Sequence, residues 1–453
     1  MRPRDALLTN RRWPILTAAL MLVTGMLFMF LWIPVVDHNN SWNIGSDMWG
    51  IFRGAHYVGW GFIGGVYTPS NGISSFPGMS VLLAPVAMLS GKLHLTESFP
   101  PFVLAHPTAG LILQPIELLL ASTVVFASDA LAERLSVPER RRIALCFVVA
   151  VVAWPTAAVW DHAEDVLAMT FTIYAMIAMF DRKWSKCGWL FGFGIVMQPL
   201  VLLLLPLLVG ATPRRRRVLL ALRSMALSVT LVGVAWLGNA ADTFQAVVRQ
   251  PSYPAHNHST PWLALTPKFW MQSGRNTEIV PFITSSGREA VRTVAVSIHR
   301  TEVVTGGVGR TVDLVLALLI GLYAWRRPHN PVRLLWLAAI VLASRCFFEV
   351  VMCPYYLAPP LILALVVCSR TNRARFSCSV VIASAISAYA YFYMSPWAWW
   401  LPIVAGLTAV LVLGYSNDAS NRSRSHDVSD VELLSIDDAA DESDQKRDLE
   451  PAL

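Results

Sequence analysis

The chain has 453 residues, of which 55% are hydrophobic and only 14% charged, with a mean hydropathy of +0.51; that composition excludes a water-soluble globular protein and a disordered one. Its formal charge of +7 lies in short clusters between apolar runs, which is how membrane helices are oriented and not how a nucleic-acid surface is built. The six cysteines are scattered and form no C-x-x-C pair, which argues against a metal site or a disulfide framework.

A basic stretch, 2–12, precedes an apolar run at 13–36 that is too long for a signal peptide and lacks a small-residue cleavage site. It predicts an uncleaved first span. Basic clusters at 2–12, 134–142, 182–186, 214–223, 326–333 and 370–375 mark the expected cytoplasmic side. Between them the hydropathy predicts spans at 13–36, 107–131, 143–160, 166–180, 218–238, 308–325, 334–351, 356–369, 379–394 and 399–415. The expected fold is an all-α polytopic membrane protein of about ten full transmembrane helices. Ten crossings bring both termini to the cytoplasm, in agreement with the charges.

Two apolar stretches do not read as simple spans. Residues 76–90 are short and interrupted by Pro77 and Pro85, and 188–210 is broken at Met197-Gln198-Pro199 and again at Pro206. The second has basic clusters on both sides, so it predicts two half-helices meeting near the outer surface. Irregular backbone at membrane depth needs protein or a water-filled cavity to satisfy its freed groups. Proline kinks in ordinary helices are the alternative.

Long polar segments fall to the outer face: 37–75, the corner 161–165, 239–307, and a Trp-rich cap at 395–400. The stretch from 240 to 307 is too long for a mere connection and predicts a functional loop. From Asn417 onward there are eleven Asp and Glu against four Arg and Lys and no aromatic residue, so 416–453 is expected to be a disordered acidic cytoplasmic tail after a membrane domain at 1–415.

Charged and polar groups in so apolar a chain are few enough to weigh one by one. Asp47, Ile51 and His56 fall near one helical face, with Arg53 one residue off, which predicts a short amphipathic helix on the outer surface. A carboxylate there can take a proton from an attacking hydroxyl; capping a helix is its ordinary alternative, and Asp37 is the competing acid. The run Asp161-His162-Ala163-Glu164-Asp165 sets three acids and an imidazole at the mouth of an apolar helix. Favourable placement at a helix N-terminus explains one or two of them, not four polar groups. Gln198 sits at the broken helix, and His256 and His258 lie in the long outer loop, where H-x-H lacks the further ligands a metal site needs. Arg345 and Glu349 are four apart in one span, either a functional pair or a lock between helices. Residues 306–310 lack the Lys-Ser/Thr end of a phosphate loop.

The order of these features resembles a known group. Asp47-Met48-Trp49-Gly50-Ile51-Phe52-Arg53 leads into Gly64-Gly65-Val66-Tyr67, then Phe76-Pro77, then a G-x-x-x-Q-P from Gly194 to Pro199. Over roughly its first half the chain is similar to GT-C type membrane glycosyltransferases, in particular the polyprenyl-phosphate-mannose-dependent family 87. The resemblance implies a GT-C fold with the catalytic acid in the first outer loop, here Asp47. It also implies a polyprenyl-phosphate sugar donor, a glycan or glycolipid acceptor, and inverting hexosyl (mannosyl-type) transfer at the outer face of the cytoplasmic membrane. Many relatives carry Lys at the position of Gln198 and Tyr-Pro-Pro where this chain has Phe76-Pro77-Gly78. On this reading Arg53, His56 or Arg345 serve the donor phosphate, and the 161–165 corner binds sugar hydroxyls. No cofactor is expected; a divalent ion is left open. A secondary transporter, a non-catalytic membrane protein of lipid or cell-envelope metabolism, and an acyltransferase using a lipid-linked donor are the competing readings.

Overall fold

The computed structural model describes residues 11–32, 44, 46–68, 75–95, 108–249, 254, 258–272, 277–283, 289–295, 300–304, 307–326, 330–392 and 394–415. Asp37, His256 and the acidic tail lie outside the described residues. The chain is mostly helical. In order come α1 (Arg12–Leu27, continued by a π turn), α2 (Ser46–Gly59), α3 (Gly78–Lys92), α4 (Gly110–Arg134), α5 (Glu139–Ala158), α6 (Ala163–Phe180) and α7 (Trp184–Met197). After a 3-10 turn follow α8 (Leu205–Ala211), α9 (Arg217–Gly238), α10 (Ala240–Phe244), α11 (Gly307–Arg326), α12 (Pro331–Phe348), α13 (Ala358–Cys368), α14 (Arg373–Tyr389) and α15 (Pro396–Gly414).

Among the described residues, eight helices are long and apolar enough to cross a membrane: α1, α4, α5, α6, α9, α11, α12 and α15. The other two spans predicted from hydropathy take different forms. The first becomes a turn at Pro354–Leu357 and the 11-residue α13, because Pro354, Pro359 and Pro360 hold the helix start after 357. The second becomes the 17-residue α14, which starts early, at Arg373, behind an N-cap made by Asn372.

Packing follows composition. Every residue of α13 is buried, and α13 lies against α12, α14, α15 and α5 at the centre of the bundle. A helix apolar on all sides belongs in such a position. The rim helices are apolar too, yet α9 leaves Val218, Leu222, Val229 and Leu237 exposed and α11 leaves Leu314, Leu318 and Leu319 exposed. Aliphatic surface on that extent fits lipid, not water. Two neighbours come together without side chains between them: a Cβ at Gly210 would lie 2.3 Å from the carbonyl oxygen of Gly321, so α8 meets α11 backbone to backbone.

Arginines of the first, second and last basic clusters collect at one end of the bundle. Arg11 and Arg142 both grip Asp129, the latter with two bonds of 2.8 and 2.9 Å, and both also reach Glu133. This four-membered network ties α1, α4 and α5. Arg134 bonds Asp181 at 2.8 Å, and Arg370 donates to the carbonyl of Leu135. Since α5 starts and α6 ends there, the corner between them, 159–162, lies at the opposite end.

Residues 258–304, expected to be loop, contain paired strands. β1 (His258–Ser259) bridges β6 (Val351–Met352); β2 (Lys268–Gln272) pairs with β5 (Arg300–Val304), and β3 (Thr277–Ile283) with β4 (Glu289–Ala295), all antiparallel. The β3–β4 pair is nested in sequence between β2 and β5. Next to it the segment 258–265 docks on the end of α12: Thr260 donates to Glu349 O at 2.8 Å, and the Trp262 indole donates to Phe347 O at 2.6 Å.

Candidate active site

The site forms where four separated pieces of chain meet at the end of the bundle away from the basic clusters. The first is the opening turn of α2, a helix with one apolar face: Met48, Ile51, Phe52 and Ala55 are buried, while Asp47 leaves its side chain 60% exposed. The second is the α5–α6 corner. Asp161 takes a left-handed backbone conformation, φ 52°, which Asp tolerates better than most residues, and this turns the chain so that α6 starts at Ala163. The third is the break after α7. Gln198 is extended (φ −143°, ψ 113°), and Pro199, lacking an N–H, cannot continue the helical ladder. The fourth is the end of α12 with the turn at Pro354–Leu357.

His162 joins them. Its Nε2 lies 2.8 Å from Asp47 Oδ2 and its Nδ1 lies 2.6 Å from Glu164 Oε1, with Asp165 Oδ2 at 3.5 Å. Gln198 donates to Asp165 Oδ1 at 3.0 Å. The imidazole lies flat against the ring of Tyr355, centroids 3.9 Å apart at 26°. Burial works against a charge on His162, but the carboxylates of Glu164 and Asp47 outweigh it and hold its pKa well above the ordinary imidazole value. The ring thus bridges Asp47 on one side and Glu164 on the other. His162 makes no capping bond, and Glu164 turns to the ring, so this corner does more than start a helix.

Beside Asp165 is a small pocket of about 20 Å³, room for a water molecule, whose polar lining comes from Asp165, Gln198, Arg345 and Tyr356. Arg345 lies over the Tyr356 ring at 3.8 Å and bonds Glu349 at 3.1 Å; Arg310 approaches the same carboxylate at 3.7 Å. Trp160 stacks on Tyr391 and leans on Tyr355, an aromatic group beside the imidazole.

The structure thus brings together Asp47, His162, Glu164, Asp165, Gln198 and Arg345, with Asp161 at the corner. It disposes the other candidates differently. Arg53 lies over the Trp49 ring at 4.6 Å and His56 packs with Phe52 on α2 and with Trp60 just past its end. His258 is buried and stacked on Trp399 at 4.1 Å, and burial pushes its pKa down.

Three residues near the site were not singled out from sequence: Tyr355, Tyr356 and Glu117. Glu117, on α4, is 1% exposed, and neither of its oxygens accepts a hydrogen bond. It lies within electrostatic reach of Asp161, Glu164 and His162. A signal for it existed, since an acid inside an apolar span is functional by default. No family model, curated protein or solved structure matches the chain.

Proposed function

We propose that the protein is a membrane glycosyltransferase that moves a hexosyl residue, mannosyl-type by its resemblance, from a polyprenyl phosphate to a hydroxyl of a glycan or glycolipid at the outer face of the cytoplasmic membrane. The observation that carries this reading is the Asp47–His162 contact. An exposed carboxylate at the rim is tied to a buried acid cluster 115 residues away, beside a pocket bearing Gln198 and Arg345. The reading counts α13 and α14 as crossings, giving ten, with both termini cytoplasmic and a GT-C-like arrangement.

In the reaction the acceptor hydroxyl attacks the anomeric carbon on the face opposite the phosphate. The hydroxyl proton passes to Asp47, and the bond from the anomeric carbon to phosphate oxygen breaks, its electron pair leaving on polyprenyl phosphate. That leaving group is stable as an anion and needs little acid help. His162 bonds Oδ2 of Asp47 and so fixes the carboxylate, an arrangement that positions the base. Trp160 and Tyr391 offer ring faces to a sugar at the rim.

The test is transfer from a labelled polyprenyl-phosphate sugar in membranes carrying the native chain or Asp47→Asn. Loss of the base lowers turnover by about a hundredfold or more. The variant still accumulates, because the side chain is 60% exposed and the amide keeps an oxygen within reach of His162. Near-normal turnover in Asp47→Asn overturns the assignment. A proton-coupled transporter is the second reading, favoured by the buried Glu117 without a hydrogen-bond partner; it predicts proton flux into proteoliposomes with no consumption of the labelled lipid.

A further inference from the structure

Charge counting at the site leaves a surplus of acid. Glu117, Glu164 and Asp165 are each 1% exposed, and Asp47 closes the group from the rim. Among the described residues His162 meets Glu164 and Asp47, and Arg345, within electrostatic reach of Asp165, is itself engaged by Glu349. Carboxylates removed from water persist only when protonated, paired or bound to a cation.

The geometry indicates which cation. Nδ1 of His162, a carboxylate oxygen of Glu164 and Oδ2 of Asp165 all lie within 4.8 Å of one another. Neighbouring donors on a tetrahedral ion bonded at about 2.1 Å lie about 3.4 Å apart. Nδ1 and Asp165 Oδ2, 3.5 Å apart, already match this, and Nδ1 and Glu164 Oε1, 2.6 Å apart, part by less than an ångström to admit the ion. Glu164 Oε2 and Asp165 Oδ2 accept no hydrogen bond. Independently of these residues, Glu117 faces the same cluster from α4 with both oxygens unsatisfied, a fourth carboxylate with no protein donor to account for it. The outer side of the imidazole is also suited: a ligating His usually passes its other N–H to a carboxylate, and Nε2 already meets Asp47.

We propose that His162, Glu164 and Asp165 bind one divalent cation through a mixed imidazole–carboxylate set, with Glu117 balancing charge behind it and Asp47 orienting the ring from outside. The ion takes the place of the Nδ1 proton, which leaves to solvent. One nitrogen with carboxylate oxygens suits Mn²⁺ or Zn²⁺ over Ca²⁺. Asp165 also lines the pocket, so the ion sits in its wall. Resting on the glycosyl-transfer reading, its role there is to meet the donor phosphate, a task for which Arg345, held by Glu349, is poorly free.

The experiment uses the full chain in detergent micelles, stripped with EDTA, dialysed and titrated with Mn²⁺ while the free-ion EPR signal is followed. The native chain takes up one ion, and pulsed EPR of the bound ion shows coupling to an imidazole nitrogen. Glu164→Gln and Asp165→Asn each weaken uptake by about tenfold or more, whereas Glu133→Gln, at the basic end, leaves it unchanged. No saturable uptake below about 1 mM overturns the proposal. So does uptake without nitrogen coupling, which needs no variant to fold, or uptake that both site variants retain. Transfer is not read in this experiment, so its failure is distinct from failure of the proposed reaction.

Discussion

Arg345 and Glu349 show how a buried charge pair can be told from a substrate contact. The pair is 3.1 Å apart, with side-chain exposures of 15% and 2%, and the guanidinium also covers the Tyr356 ring. Taking two ions out of water costs more than their attraction returns unless both remain, so removing one partner is far worse than removing both. Arg345→Met alone therefore destabilises the protein by about 3–5 kcal/mol, and Arg345→Met with Glu349→Gln recovers most of the loss, as read by thermal unfolding in detergent. Equal losses in the single and double variants would show that Arg345 acts elsewhere, on the pocket side. The residues of the site that sequence reading found were those whose polarity conflicts with their surroundings, above all His162, Glu164, Asp165 and Gln198. His56 falls near the face of Asp47 with Arg53 one residue off it, but periodicity does not say what these side chains meet; on α2 both meet aromatic rings. Tyr355 was hidden for the opposite reason, since an aromatic residue in an apolar chain signals nothing until the imidazole is seen lying on it.

Helix ends and breaks were the most legible elements, because they follow from local chemistry. Pro199 removes a backbone donor, and the chain does turn at Gln198, with Asp165 bound across the break. The paired strands at 268–304 were not legible: each run is only five to seven residues, β3 contains Pro281, and pairing depends on partners far along the chain. Close helix contact is likewise invisible to hydropathy. Gly321 reads as one more small residue in α11, yet a Cβ there would fall 2.6 Å from Pro206. Gly233, on α9, has nothing within 4 Å of the same position. Gly321→Leu must separate α8 from α11 and lowers stability by about 1–3 kcal/mol, the usual cost of overfilling a packed contact. Gly233→Leu leaves the unfolding temperature of the detergent-solubilised protein near that of the native chain. A comparable loss in both would mean that leucine bulk, and not the α8–α11 approach, sets the effect.

The assembled bundle sorts its helices by exposure: α13 and most of α6 inside, α1, α9, α11 and α15 outside with aliphatic side chains toward the surroundings. Its two ends differ in charge. Arg11, Arg134, Arg142 and Arg370 gather at one, while Asp47, Asp161, Glu164 and Asp165 gather at the other. Lys and Arg beside an anionic leaflet gain about 1 kcal/mol each, and acids gain nothing there, so the two ends have different preferences for the two membrane faces. On the proposed function the basic end faces the cytoplasm and the acid end faces outward. Cysteine labelling reads this directly. Cys378 is the exposed thiol among the described residues and the other five cysteines are buried, so a Cys378→Ser background carries no readily accessible thiol. In that background Trp60→Cys, at a site 67% exposed near the end of α2, reacts with an impermeant maleimide on intact cells. Arg215→Cys, exposed in the turn between α8 and α9, reacts only after the membrane is opened. The reverse pattern would put Asp47 on the cytoplasmic side and remove the outer-face enzyme; labelling of both from outside would mean that the helices between these two sites cross a number of times that the charge distribution does not predict.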